Sequence, residues 1–190
     1  MNGYELALVL HLAGIFALFG GLTLILTGMA GARRSNSIAG IREWATMAAR
    51  LSIITPIFGV LAFIPAAYMV SDSKQYHWKD SWINVAIDSL VLIVIILIAI
   101  VLPRLRRLAR VAAAEPPDAP PAALAPAVYD PILWLGAQLA TTLFSGVLVL
   151  TVFKPDGRGT GAIIAVSLLL GLLATAPALA RYRRVAGSRQ

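Results

Sequence analysis

Residues 6–32 read LALVLHLAGIFALFGGLTLILTGMAGA and contain no aspartate, glutamate, lysine or arginine. A bilayer core of about 30 Å is crossed by about 20 apolar residues in helical conformation. Only helices and closed barrels satisfy their backbone groups in lipid, and this segment lacks the alternation of apolar and polar residues that barrel strands have. The segment therefore predicts a membrane-spanning helix near the start of the chain.

Four further segments of similar length and composition predict four more spans. Three are free of charged residues, and the segment at 81–103 is interrupted only by Asp88. The fold class that follows is all-α: a polytopic integral membrane helical bundle that forms a single membrane domain over residues 1–190. The five transmembrane helices are expected at about residues 4–30, 51–71, 81–103, 131–153 and 159–181.

The composition of the whole chain agrees with a membrane protein. Of the 190 residues, 59% are hydrophobic and 13% are charged, whereas a soluble domain keeps about 25% of its residues charged. The absence of cysteine excludes disulfide scaffolds, cysteine-based zinc sites, iron–sulfur clusters and thiol catalysis. The sequence also lacks a recognisable nucleophile, metal-ligand cluster or nucleotide motif, which favours a non-enzymatic protein.

The distribution of lysine and arginine predicts the orientation. Twelve of these residues follow helices one, three and five, and four lie at the opposite ends. The positive-inside rule then places the N-terminus outside and the C-terminus in the cytoplasm of a bacterial cytoplasmic (plasma) membrane. The net charge of +7 is expected to attract anionic lipids to the cytoplasmic face, not nucleic acid. The twelve are Arg33, Arg34, Arg42, Arg50, Arg104, Arg106, Arg107, Arg110, Arg181, Arg183, Arg184 and Arg189, against Lys74, Lys79, Lys154 and Arg158.

Two connections have predicted structures of their own. Residues 36–49 carry apolar side chains at helical spacing, so we expect a short interfacial helix on the inner leaflet. Residues 111–129 contain five prolines among alanines, which predicts an extended or mobile cytoplasmic linker. This linker separates the first three helices from the last two.

Polar residues inside the predicted spans are the candidate functional groups. His11 and Asp88 each lie seven residues, or about 10 Å, below the outer ends of helices one and three. Because an ionisable group within a membrane usually faces a partner or water, we expect a hydrogen bond between them, as a ligand site or proton relay. The alternative for His11 is a buried imidazole bonded to Asp88 or to a backbone carbonyl. Asn84 shares the face of Asp88, and Glu5 and His77 are expected to join at the outer mouth.

Small residues predict faces for helix packing. Gly14, Gly21 and Gly28 recur every seven positions on helix one, and Gly171 belongs to a small-residue stripe on helix five. Such stripes allow close approach of another helix. We expect the protein to pack through them as a homo-oligomer or within a larger membrane complex.

Two short motifs carry a family resemblance. The run HLAGI at 11–15 with the glycine pair at 20–21, and the run VFKP at 152–155, resemble parts of the CopD-like membrane proteins and of a related bacterial family of uncharacterised integral membrane proteins. The resemblance implies a helical membrane architecture over helices one to four, and it makes His11 a candidate functional residue. In CopD relatives it would imply copper handling, but the additional histidines and methionines of that role are missing here.

Three hypotheses for function follow. The first is a non-enzymatic packing or accessory subunit of a membrane assembly. The second is a haem- or copper-linked redox protein in which His11 binds the metal, as the candidate ligand, and Asp88 orients it or moves a proton. Haem b usually takes two axial histidines, so His77 or a second subunit would supply the other. The third is a small transporter or proton-relay protein whose path follows the polar face of helix three.

Overall fold

The computed structural model describes residues 2–187, and over that range the chain is almost entirely helical. Five helical segments are long and apolar enough to cross a membrane, which confirms the all-α class and the predicted number of such segments. Arg189 lies outside the described residues. The helices are α1 (Gly3–Arg34), α2 (Ile38–Asp72), α3 (Ser81–Ile96), α4 (Leu102–Ala114), α5 (Ala125–Val128), α6 (Pro131–Phe153) and α7 (Gly157–Gly187).

The third span is one continuous helical rod made of two parts. A π-helical turn, Leu97–Val101, joins α3 to α4 without a break. Beyond this turn, the apolar residues Leu105, Leu108 and Ala112 of α4 are buried. The rod therefore extends past the predicted end of helix three at residue 103.

The segment predicted as a separate interfacial helix differs in the structure, because it is the first part of α2. Ser37 caps this helix by accepting a hydrogen bond from the Gly40 amide at 3.1 Å, and the helix then runs unbroken to Asp72. Ile38, Ile41 and Ala45 are buried in a cluster shared with α4 and α5. The apolar stripe at 36–49 thus packs on protein, and this explains why its pattern resembles that of a surface helix.

The proline-rich segment is also more ordered than an extended linker. The Arg42 side chain donates hydrogen bonds of 3.0 Å each to the carbonyls of Ala112 and Glu115, which lie at the end of α4. A 3₁₀ turn at Pro121–Leu124 and α5 then follow, because proline is accepted in the first turn of a helix. Val128, at the end of α5, is buried and accepts a hydrogen bond from the Trp134 indole at 2.9 Å.

Glycines bring the helices into contact within the chain. A Cβ added to Gly14 would lie 2.5 Å from the backbone nitrogen of Ala62 in α2, and Gly21 and Gly28 meet α2 similarly. A Cβ on Gly171 would lie within 2.8 Å of side chains in α6. The predicted packing stripes are therefore occupied by neighbouring helices of the same chain.

The two ends of the bundle differ in composition. We call one the aromatic end, where α1, α3 and α7 begin and α2 and α6 finish. At the opposite arginine end, the Arg33 guanidinium lies 5.0 Å from the ring centre of Trp134. There, Arg104 also forms a 3.4 Å ion pair with Asp130. The aromatic end carries Tyr4, Tyr76, Trp78 and Trp82.

Candidate functional site: a cavity at the aromatic end

A cavity of about 300 Å³ lies between α1, α2, α3 and α6 at the aromatic end. Its size is at the lower limit of pockets that hold small molecules. Most of the wall is apolar and includes Ile15, Phe63 and Leu90. Five polar side chains contribute to it in addition to the two tryptophans: Tyr4, His11, Tyr76, Thr151 and Lys154.

His11 is held in a fixed orientation at the cavity wall. Its Nδ1 atom lies 2.7 Å from the carbonyl oxygen of Ala62, and the ring is half-buried. Because a carbonyl only accepts hydrogen bonds, Nδ1 carries a proton, and in the neutral form of the ring Nε2 is an acceptor. Nε2 has no hydrogen-bond partner among residues 2–187. The imidazole therefore offers one free lone pair at a position set by the backbone of α2.

The local sequence explains how His11 reaches that carbonyl. Gly14 follows one turn later on α1 and contacts the backbone of Ala62, so the two helices approach closely at this level. Pro65 lies three residues beyond Ala62 and cannot donate a hydrogen bond to the carbonyl of Leu61, which disturbs that turn of α2. The close approach at Gly14 brings His11 within reach of the Ala62 carbonyl, and the proline leaves the Leu61 carbonyl without its usual helical donor.

Asp88 does not face the cavity. The residues of α3 that line the cavity include Ile83, Ile87 and Leu90, whereas Asp88 is exposed on the outward side of the helix. The expected hydrogen bond between His11 and Asp88 is not formed, and His11 instead takes the backbone carbonyl of its alternative interpretation. The sequence predicts that His11 and Asp88 lie at the same depth in the membrane. It does not predict the rotation of α3 about its own axis, which decides whether Asp88 faces His11.

The other predicted site residues are also distributed away from His11. Asn84 is exposed one turn from Asp88, so the polar face of α3 lies outside the monomer and does not line a path through it. Glu5 closes a capping box with Asn2, through hydrogen bonds of 3.0 and 2.8 Å, at the start of α1. The backbone amide of His77 donates to Asp80 at 2.9 Å, and its side chain is not part of the cavity wall.

The cavity does not gather a complete metal site. Residues 2–187 contain no group of three or more histidine, aspartate or glutamate residues arranged to hold a metal ion. Met69 lines the same cavity as His11, but a second imidazole for axial ligation of haem b is not in the wall. Besides the tyrosine and threonine hydroxyls of the wall, the chain supplies one imidazole nitrogen and one thioether at this place.

Sequence reasoning missed a cluster at the mouth of the cavity. The Lys154 ammonium donates a hydrogen bond to the Tyr76 hydroxyl and lies 4.5 Å from the centre of the Tyr76 ring. The same ammonium is 5.9 Å from the centre of the Trp82 ring, which meets Tyr76 edge to face. Lys154 adopts φ 47° and ψ 53° where α6 ends. This left-handed backbone conformation is uncommon for residues other than glycine and asparagine. The sequence shows the Lys-Pro pair and the aromatic residues at 76–82, but it does not show that they meet.

Comparison with known proteins gives no further assignment. No family model matches the chain, and no curated protein or solved structure matches it. The resemblance of the first helix and of the VFKP motif to CopD-like membrane proteins therefore stays a prediction.

Proposed function

We propose that the protein is a non-enzymatic subunit of a membrane assembly and that it contacts its partner through one face of α3. The observation that carries this proposal is the position of Asp88, which is exposed near the centre of the outward side of α3. The span that contains it is the most hydropathic of the five.

The free energy of a lipid-facing carboxylate argues for a covered face. Asp88 lies about 10 Å along the helix from Ser81, where α3 begins. An aspartate in the apolar part of a bilayer costs at least about 3 kcal/mol on insertion scales, and such residues pair with protein groups or face water. No described residue forms a hydrogen bond or an ion pair with the Asp88 side chain. A partner on this face would remove that cost.

The surrounding residues favour a helix as the partner. Asn84, Asp88, Val91 and Ile95 follow one another at spacings of four, three and four, and all are exposed. The exposed fractions of Val91 and Ile95 are 49% and 54%. This spacing is that of a heptad seam, along which two helices pack side by side. We call these four residues the α3 seam.

The occupant that best fits the α3 seam is a second copy of the chain. Two copies inserted in the same direction present parallel α3 helices, so a two-fold axis places each seam against its own equivalent. Each residue then lies at the depth of its own equivalent, so the Asn84 amides flank the two Asp88 carboxylates as hydrogen-bond donors, and the apolar half of the seam packs below. Interhelical hydrogen bonds of this kind contribute about 1–2 kcal/mol in model peptides, and a polar seam residue fixes the register.

The proposal includes the orientation read from the sequence. The arginine end faces the cytoplasm of a bacterial plasma membrane, and the aromatic end faces outside. Arg33, Arg42 and Arg104 make contacts at one end of the bundle, which supports a basic cytoplasmic surface. Exposed arginines there, such as Arg106, are available to anionic lipid headgroups, at about 1 kcal/mol for each residue near the surface.

Cysteine cross-linking tests the proposal in native membranes. The chain contains no cysteine, so a Val91→Cys variant has a single thiol, and oxidation links two copies only if their seams meet. We expect a disulfide-linked dimer of Val91→Cys. The matched control is Leu169→Cys on α7, whose native side chain is 55% exposed, and this variant should form no cross-link although its seam is intact.

Two results would contradict the proposal. Equal cross-linking of the two variants would mean that the seam is not a specific contact. A cross-link of Val91→Cys to a different protein would keep the assembly role but would overturn the second copy as the occupant.

A further inference from the structure

We propose that the cavity at the aromatic end binds a small amphipathic molecule, with a largely apolar body and a hydroxyl group that donates a hydrogen bond to Nε2 of His11. This site is separate from the α3 seam, since the seam residues Asn84, Asp88 and Ile95 do not line the cavity. The inference therefore does not rest on the proposed assembly.

The first argument is the protonation pattern of His11. The Ala62 carbonyl fixes the proton on Nδ1 and leaves Nε2 as an acceptor. A ligand that meets this nitrogen must therefore bring a donor, and an aliphatic hydroxyl or a phenol is the simplest group that does so in an apolar setting. A carbonyl or ether oxygen at the same place would meet a lone pair without a proton between them.

The second argument is the chemistry of the wall. Apolar side chains from four helices, such as Leu8, Phe63, Ile87 and Leu148, surround the space beside His11. A predominantly hydrophobic pocket with a few placed polar groups is the usual form of a small-molecule site. The wall therefore selects the apolar body of the ligand, and His11 selects its orientation.

The third argument is the mouth of the cavity. The Lys154 ammonium is held over the rings of Tyr76 and Trp82 by a hydrogen bond and by contact with their faces. Its position depends on a left-handed residue at the end of α6, a conformation that persists only where the surrounding structure supports it. The two rings belong to the cavity wall, and an aromatic body gains ring–ring contacts there that a flexible acyl chain does not.

A lipid acyl chain is the competing occupant, and a pair of probes separates the two. The probes are 1-naphthol, which carries a hydroxyl donor, and 1-methoxynaphthalene, which has the same ring system without the donor. Binding is measured by saturable quenching of tryptophan fluorescence in lipid nanodiscs, because Trp78 and Trp82 belong to the cavity wall. Partition of each probe into protein-free nanodiscs is measured and subtracted.

We expect the intact protein to bind 1-naphthol about tenfold more tightly than 1-methoxynaphthalene, the factor expected from one net hydrogen bond. His11→Phe should reduce this ratio to about one while the protein still binds both probes. Ala86→Phe, which places a ring in the cavity wall, should abolish saturable binding of both.

Several outcomes would overturn the inference. Equal affinity of the intact protein for the two probes would mean that the cavity accepts apolar molecules such as acyl chains without using His11. A tenfold ratio that persists in His11→Phe would assign the hydrogen bond to another group. Saturable binding that persists in Ala86→Phe would place the probes elsewhere. The comparison of probes on the intact protein needs no variant, so a failure of His11→Phe to fold would leave that test standing.

Discussion

The α1–α2 interface and the α3 seam are both helix faces marked by a particular kind of residue, small on α1 and polar on α3, but the structure uses them in opposite ways. The glycines of α1 are in contact with α2, and the cost of replacing them is steric. Asn84 and Asp88 of α3 are exposed, and the cost of leaving them so is that of a polar group in hydrocarbon. Small residues thus mark contacts completed within the chain, and the exposed polar pair marks the face for which we propose a contact with a second copy.

Gly14→Ala is the strongest test of the closed contact. The added Cβ would lie 2.5 Å from the nitrogen and 2.8 Å from the Cα of Ala62, and backbone atoms cannot move away as a flexible side chain can. We expect the free energy of unfolding to fall by about 3 kcal/mol, at the upper end of the range for overpacking. Unfolding of the purified protein in mixed micelles, followed by circular dichroism, measures this change.

Gly20→Ala is the matched control for that experiment. A Cβ on Gly20 has no heavy atom within 4 Å, and alanine is the better helix former, so this variant should be as stable as the original protein or slightly more stable. Similar losses in the two variants would show that helix propensity, and not contact with α2, decides the effect.

Asp88→Leu should weaken the dimer without destabilising the fold, which is the opposite of the effect expected for Gly14→Ala. Removal of the carboxylate leaves the monomer fold intact, because Asp88 makes no contact with the interior, but it deletes the proposed hydrogen bond across the seam. We expect the dimer to weaken by about 5- to 30-fold, which corresponds to 1–2 kcal/mol. Energy transfer between labelled copies at increasing lipid dilution measures the dissociation constant.

Asp88→Asn is the control for this variant, since its amide can still pair across the seam and should retain most of the association. A dimer of unchanged strength in Asp88→Leu would contradict the role of the α3 seam. Unfolding of the monomer in that variant would show that Asp88 has a structural partner within the chain.

Ile95→Ala gives the smallest expected effect. Without a hydrophobic force between helices in lipid, the contribution of this side chain is packing alone, and we expect the dimer to weaken by about twofold. Ile57→Ala removes an equally large side chain that is 60% exposed on α2, and it should leave the dissociation constant unchanged. The same energy-transfer assay measures both variants, and equal losses would mean that the contact is not limited to α3.

The sequence was sufficient for the number of helices long and apolar enough to span a membrane, because charged residues cannot be spread through lipid-facing helices. It was insufficient for the start of the second, at Ile38, and for the end of the third, at Ala114. It was also insufficient for the rotation of α3. Val91 and Ile95 face outward while Ile93 and Ile96 face inward, so residues of the same kind occupy both sides and no amphipathic pattern shows which side is buried. The predicted pairing of Asp88 with His11 did not form for this reason.

Amphipathic pattern and chain distance explain the other differences. The stripe at 36–49 was read as a membrane-surface helix because a pattern of apolar residues does not say whether lipid or protein covers it. The cavity was missed because its mouth joins Tyr76 to Lys154, residues brought together only by the packing of several helices. His11 was identified because an imidazole in a span is rare in itself.

At the π-helical turn Leu97–Val101, the third span changes which of its faces is directed at the rest of the bundle. A π turn holds one residue more than an α-helical turn, so the face directed at a given neighbour changes where α3 passes into α4. Above this joint, the rod turns a carboxylate and its seam away from the bundle; below it, Leu105 and Leu108 turn inward while Arg106 and Arg110 are exposed. One uninterrupted helix can thereby satisfy two separate sets of neighbours, and a change in the length of this turn would misalign one set with respect to the other.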